Sequence, residues 1–143
     1  MTTRADVVTQ AREWIGTPFQ HQQRTTGVAV DCAGLVIGVC RDLGLVVPAF
    51  DVGGYARQPD GVSLLRACNE HMTTVRQEDM QPGDVVVVAY DKAPGHMGIL
   101  GDYRHGGLSI IHAAMKPPRV VETRLWFTKQ MRFIAAYRLP GIN

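Results

Sequence analysis

An α+β fold is predicted, with helices gathered at the front of the chain and an antiparallel sheet behind them. Three observations predict it. Up to about residue 72 the apolar residues recur at helical spacing. From Val85 onward they come in short β-branched runs. The connections between those runs are short and glycine-bearing, which suits hairpins rather than the long crossovers that parallel strands need.

The first helix is expected in TTRADVVTQAREWIG, residues 2–16. Val7, Val8, Ala11, Trp14 and Ile15 make its apolar stripe, Thr3 is its N-cap, and Gly16 with Pro18 ends it. QHQQRTTGVAV (20–30) is polar and reads as a loop. The second helix is expected from Cys32 to Leu43, with Leu35, Val36, Val39, Cys40 and Leu43 on its apolar face and Gly44 as its stop. FDVGGYARQPDG (50–61) reads as a loop, and its glycines suggest a cover for a cleft. VSLLRACNEHM (62–72) is a short third helix, and MQPGD (80–84) is a turn whose Asp84 bonds backbone locally.

Strands follow at 85–90 (VVVVAY), 96–103 (HMGILGDY), 108–114 (LSIIHAA) and 119–124 (RVVETR). LWFTKQM (125–131) is expected to be a helical turn and RFIAAYRL (132–139) a last strand. With 143 residues and no linker or repeat, a single domain over 1–143 is expected.

Composition narrows the function classes. Hydrophobic residues make up 45% and charged residues 20%, as in ordinary globular domains. A net charge of +2 gives no strong field for a polyanion, and 7% aromatics give no stacking platform for bases, so nucleic acid is not an expected partner. No apolar run reaches the ~18 residues of a membrane span. MTTRADVVTQ lacks the basic start and apolar core of a secretory leader, so synthesis in a reducing cytoplasm is expected. Three cysteines with no C-x-x-C offer no disulfide framework or zinc-finger spacing. Cys32 and Cys40 on one helix would stand about 12 Å apart, too far for a disulfide.

AVDCAGLVIGVC (29–40) places Cys32 where an apolar helix begins. Free N–H groups of a helix's first turn favour a thiolate and can donate to an oxyanion. Gly34 would keep that turn open to a substrate backbone. A buried core thiol is an equally open reading of DCAG (31–34) alone. A cysteine nucleophile needs a base, and there are five histidines. His71 and His105 stand in polar or glycine-rich surroundings and read as solvated. His21 lies in a polar loop near Cys32. His96 and His112 stand in apolar strands. A hairpin loop of odd length centred on Arg104 would pair Leu100 with Leu108 and His96 with His112 on one face. One histidine could then orient the other, as in a catalytic triad. Cys32, His96 and His112 could also bind zinc, but a fourth ligand is not obvious unless Asp31 or water serves; neither a metal nor another cofactor is expected.

GTPF (16–19), VDCAGLV (30–36), QPGDVVVV (81–88), GHMGIL (95–100) and IIHA (110–113) stand in an order that resembles the NlpC family of papain-like cysteine peptidases of the bacterial cell wall. The loop sequence before Cys32 looks most like the branch carried by tailed phages. The resemblance implies a papain-like fold in which the cysteine-bearing helix packs on an antiparallel sheet. It implies that Cys32 is the nucleophile, His96 the base and later the acid, and His112 the group that orients His96. Asp31 would bind the free amine of a stem peptide, with Phe19, His21, Ala33 and Gly95 as further substrate-binding positions. The family commonly has Tyr at Phe19 and Ser at Ala33, so two polar contacts are missing here, and His21 is the candidate replacement for one. The implied substrate is a peptidoglycan stem peptide, cut between D-γ-glutamyl and diaminopimelate. Implied partners are phage tail or baseplate proteins. A tail-assembly protein with a vestigial site, and an amidase or acyltransferase on the same fold, are the alternatives.

Overall fold

A computed structural model describes residues 1–20, 23–25, 27, 29–51, 63–90 and 93–143. The elements are α1 (Arg4–Arg12), β1 (Arg24–Thr25), β2 (Ala29–Val30), α2 (Cys32–Asp42), α3 (Ser63–His71), β3 (Thr73–Val75), β4 (Val85–Tyr90), β5 (Ala93–Asp102), β6 (Leu108–Ala113), β7 (Val120–Arg124) and β8 (Met131–Arg138). A 3₁₀ turn at Gln77–Asp79 joins β3 to β4.

Six strands form one sheet in the order β3-β8-β4-β5-β6-β7. Every neighbouring pair is antiparallel. Side chains alternate across it, as the pleat requires. Val85, Val87, Ile99 and Ile111 face the helices and join Val7, Ala11, Trp14, Leu35 and Val39 in the main core. Val86, Val88, Leu100 and Ile110 form a second apolar layer on the other face. β4 is buried on both faces, which is why its sequence is an unbroken valine run instead of an alternation.

α1 begins at the predicted cap. Thr3 Oγ1 accepts from the Asp6 N–H at 3.1 Å, and Asp6 Oδ2 accepts from the Thr3 N–H at 2.9 Å. The helix stops at Arg12, short of the expected stripe, and Ile15 is 45% exposed. Trp14 leaves the helix and lies against α2, where its indole N–H donates to Asp42 Oδ2 at 3.0 Å. Gly38 makes this possible: a Cβ there would meet the Trp14 ring at 2.3 Å. α2 is buried from Ala33 to Cys40, as a helix enclosed by other elements must be. Asp84 is wholly buried, accepts from the Gln81 N–H, and pairs with Arg4 at 2.5 Å, tying the start of the chain to the β3–β4 connection.

Other expectations need correction. Residues 125–130 are not helical. They form an extended arm in which Leu125 and Phe127 pack on the second apolar layer while Trp126 is exposed. That in-out-in order has the period of a strand, and Thr128 closes the following turn by accepting from the Met131 N–H. The loop before Cys32 contains the small β1–β2 ladder, and β3 was not expected at all. The suggested cover at 50–62 lies, from 52 on, outside the described residues.

Replacing Gly38 with Ala should force the Trp14 ring off α2 and cost roughly 1–3 kcal/mol. Urea unfolding of the two proteins checks this; equal midpoints would contradict the packing.

Candidate active site

α2 starts at Cys32 because Asp31 caps it. Asp31 is extended, and its Oδ1 accepts from the Gly34 N–H at 2.7 Å. The carboxylate is 2% exposed, so the cap is part of the interior. Gly34 does not leave room for a substrate, as the sequence suggested. A Cβ there would lie 2.2 Å from the Gln23 carbonyl, so the loop before the helix already fills that space. The same loop is fixed by the Asp31 N–H, which donates to the Gln23 carbonyl.

His96 arrives from β5, next to an irregularity in its pairing with β4. Val88 pairs with His96 and Ala89 with Pro94, so Gly95 is an extra residue. A bulge of this kind bends a strand and re-aims the side chains beside it. The Gly95 carbonyl oxygen stands 4.0 Å from the Cys32 sulfur. The nucleophile candidate therefore sits against the backbone immediately before the base candidate.

His112 arrives from β6. The hairpin loop is odd, as expected, but it is centred on His105, not Arg104: Leu100 pairs with Ile110 and Asp102 with Leu108. Continuing that register sets Gly98 opposite His112, and His96 one diagonal step away on the same face. The imidazoles still meet. His96 Nε2 lies 2.7 Å from His112 Nδ1, with the rings edge-to-face at 4.9 Å between centroids. The diagonal works because position 98 has no side chain: a Cβ there would stand 3.0 Å from His112 Cβ and 2.7 Å from Ile110. The glycine two residues after His96 was in the motif; its steric purpose was not apparent without the register.

Cys32 and His96 are half-buried and His112 is buried, and this desolvation sets the charges of the site. Burial, then the charge of Asp31, pushes the Cys32 thiol up to about 11, while the N–H groups of Met97, Ala33 and Cys32 itself pull the other way. A rise of that size disfavours the thiolate by on the order of 3 kcal/mol. A helix N-terminus typically returns about 0.3–1 kcal/mol. The N–H groups that favour a thiolate at this helix start are therefore outweighed, and the resting group is a neutral thiol. Burial, then His112, lowers His96 to about 3, and burial lowers His112 to about 4. Both rings are neutral at pH 7. With Nε2 of His96 engaged by His112, its Nδ1 is the nitrogen left to take a proton.

The remaining predicted positions divide. Ala33 is buried and lines an apolar cleft with Met97, Cys68 and Leu64. Phe19 packs against the main core, with its N–H donating to the Pro118 carbonyl. His21 lies outside the described residues. His71 and His105 are exposed, as expected. Cys40 and Cys68 are buried core thiols. Among the described residues no group of three or more His, Cys, Asp or Glu side chains could hold a metal ion. Sequence reasoning missed Tyr90, whose ring lies 5.4 Å from that of His96. The available signal was its place two residues beyond Val88, at the end of the strand facing His96.

The NlpC/P60 family model matches residues 16–133. The solved NlpC/p60 domain of the peptidoglycan hydrolase SagA is 21% identical, with a TM-score of 0.66 over 96% of this chain and 100% of that one. An NlpC/P60 family protein from Bacillus cereus is 17% identical, with a TM-score of 0.69 over 96% of this chain and 40% of that one. An N-acetylmuramoyl-L-alanine amidase from Bacteroides uniformis is 11% identical, with a TM-score of 0.63 over 96% and 99% of the two chains. No curated protein sequence matches.

A neutral resting thiol makes a direct prediction. Thiolate absorbance near 240 nm should be absent at pH 7–8 and should rise only in strong alkali. A neutral-pH signal that disappears in Cys32→Ala would contradict the desolvated site.

Proposed function

This chain belongs to the NlpC/P60 family, and from that premise we propose that it is a cysteine peptidase of bacterial peptidoglycan. The observation that carries the reading is the convergence of a helix-start thiol, a bulged strand and a hydrogen-bonded histidine pair.

The chemistry follows from the protonation states. The Cys32 sulfur attacks the amide carbon as its proton passes to Nδ1 of His96. The imidazolium that forms keeps Nε2–H directed at the lone pair of His112 Nδ1, so the charge arises against an acceptor already in place. Backbone N–H groups at the head of α2, including that of Cys32, are the available donors for the oxyanion. Collapse of the intermediate transfers the proton from His96 to the leaving amine and leaves a thioester on Cys32. Water, deprotonated by His96, then hydrolyses the thioester and frees the carboxylate and the thiol.

The proposed bond is the D-γ-glutamyl–diaminopimelate amide of the stem peptide, with the Asp31 carboxylate attracting the free amine of the substrate. Asp31 caps α2 through Oδ1, so in this reading the amine meets a carboxylate that also holds the start of the helix. Ala33, Phe19 and Gly95 line the approach, and His21 is the proposed polar replacement in the Phe19 region. We further propose incorporation in a phage tail or baseplate, with action at the cell wall, on the likeness of the loop before Cys32 to the phage-borne branch. Mass spectrometry of purified particles that finds no trace of the chain would contradict that assignment.

The amidase named among the similar structures favours a second reading, in which the bond cut joins the peptide to the sugar. Products decide between the two. Purified peptidoglycan and a defined muropeptide are incubated with wild type, Cys32→Ala and His96→Ala, and fragments are read by mass. Cleavage within the stem peptide is expected. Cys32→Ala should abolish it, and His96→Ala should lower kcat by roughly 10²–10⁴-fold. Release of the intact stem would establish the amidase instead, and undiminished cleavage by Cys32→Ala would exclude a cysteine enzyme.

A further inference from the structure

The base has a neighbour with no role in the reaction as described. Tyr90 ends β4, and its ring lies 5.4 Å from the His96 ring at a tilt of 51°. It stands beyond the irregularity at Gly95, where Tyr90 pairs with Ala93. On its far side the phenol O–H donates to Met131 Sδ of β8 at 3.5 Å, a weak acceptor. Four side chains thus run across the sheet in contact: Met131 holds Tyr90, Tyr90 flanks His96, and His96 bonds His112. Tyr90 is 44% exposed, the most exposed residue of this row, while Met131 and His96 are half-buried.

We propose that Tyr90 is a positioning residue for His96, its aromatic ring forming the solvent-side wall that keeps the imidazole dry and in the rotamer that meets His112. The inference rests on the cysteine peptidase reading, because a dry, fixed His96 matters only if His96 moves protons. The ring does the work and the hydroxyl is incidental, since its partner is a thioether. Two effects of the ring on His96 oppose each other. An aromatic face beside an imidazolium favours the charged form by about 0.5–1 kcal/mol at an exposed site. Exclusion of water favours the neutral form, and burial is the main cause of the low basicity of His96. Water exclusion therefore decides the sign. The titratable groups set against His96 are His112 from β6 and Tyr90 from β4, and the Cys32 sulfur stands beside the carbonyl of Gly95, the residue before His96.

Wild type, Tyr90→Phe, Tyr90→Leu and Tyr90→Ala are compared by NMR titration of the His96 ring and by kcat and KM on the muropeptide. The titration needs no substrate, so it reports on Tyr90 even if the wall-peptidase reading fails. Tyr90→Phe should match wild type in both measurements. Tyr90→Ala should raise the His96 midpoint by about one pH unit and lower kcat roughly tenfold with KM little changed. Tyr90→Leu, which keeps apolar bulk at the strand end, should move both in the same direction by less. An unchanged midpoint in folded Tyr90→Ala or Tyr90→Leu would overturn the proposal. So would Tyr90→Phe behaving like Tyr90→Ala, which would assign the effect to the hydroxyl. A rise in KM at constant kcat would make Tyr90 a substrate contact and overturn it equally.

Discussion

The 2.7 Å contact between His96 Nε2 and His112 Nδ1 is the constraint around which the rest of the molecule is arranged. Two neutral imidazoles meet nitrogen to nitrogen only if one donates and the other accepts, so the bond couples the tautomers of the two rings. It also fixes the register of β5 against β6. A shift by one residue would send one of the histidines through to the opposite face. The side-chain-free position at Gly98 follows from the same geometry, because the diagonal contact needs an empty place opposite His112. The sheet supplies rigidity through its buried central strands, and the arm at 125–130 covers the layer of Val86, Val88, Leu100 and Ile110, which shares its face with the histidines.

Desolvation is the second constraint, and it works against part of what the sequence suggests. A cysteine at a helix start after an aspartate reads as an activated thiolate. In place, the aspartate is a buried cap whose charge faces the sulfur, and burial outweighs the N–H groups that favour the anion. The resting dyad is neutral. Its reactivity then depends on a base held in line to accept the proton as the sulfur attacks, and so on the orientation of His96. This gives the second histidine, and the Gly95 bulge that turns β5 toward Cys32, a chemical reason to be where they are.

Much of this was legible in the sequence, and the limits have physical causes. Period-3.6 stripes, the Thr3 cap and the Gly44 stop located the helices, and the valine run located β4 to the residue. The odd parity of the β5–β6 loop was enough to put both histidines on one face. Its centre was not, since several glycines could carry the turn, and only a shift by an even number of residues is invisible to side-chain alternation. LWFTKQM misled because a short segment with two aromatics fits a helical turn as well as an extended arm, and only the layer beneath selects the latter. Gly34 and Gly38 illustrate a further limit: the space above each is filled by a partner distant in the fold, Gln23 in one case and Trp14 in the other. Tyr90 escaped notice because a tyrosine ending a buried strand looks like an ordinary edge residue until the bulge beside it is known.

The central claim is that His112 is a neutral acceptor that orients His96. Long-range nitrogen–proton NMR of the imidazoles at pH 7 tests it directly. The account predicts both rings neutral, with the proton on Nε2 of His96 and on Nε2 of His112, leaving Nδ1 of His112 free to accept. A proton on Nδ1 of His112, or an imidazolium at either ring, would contradict it.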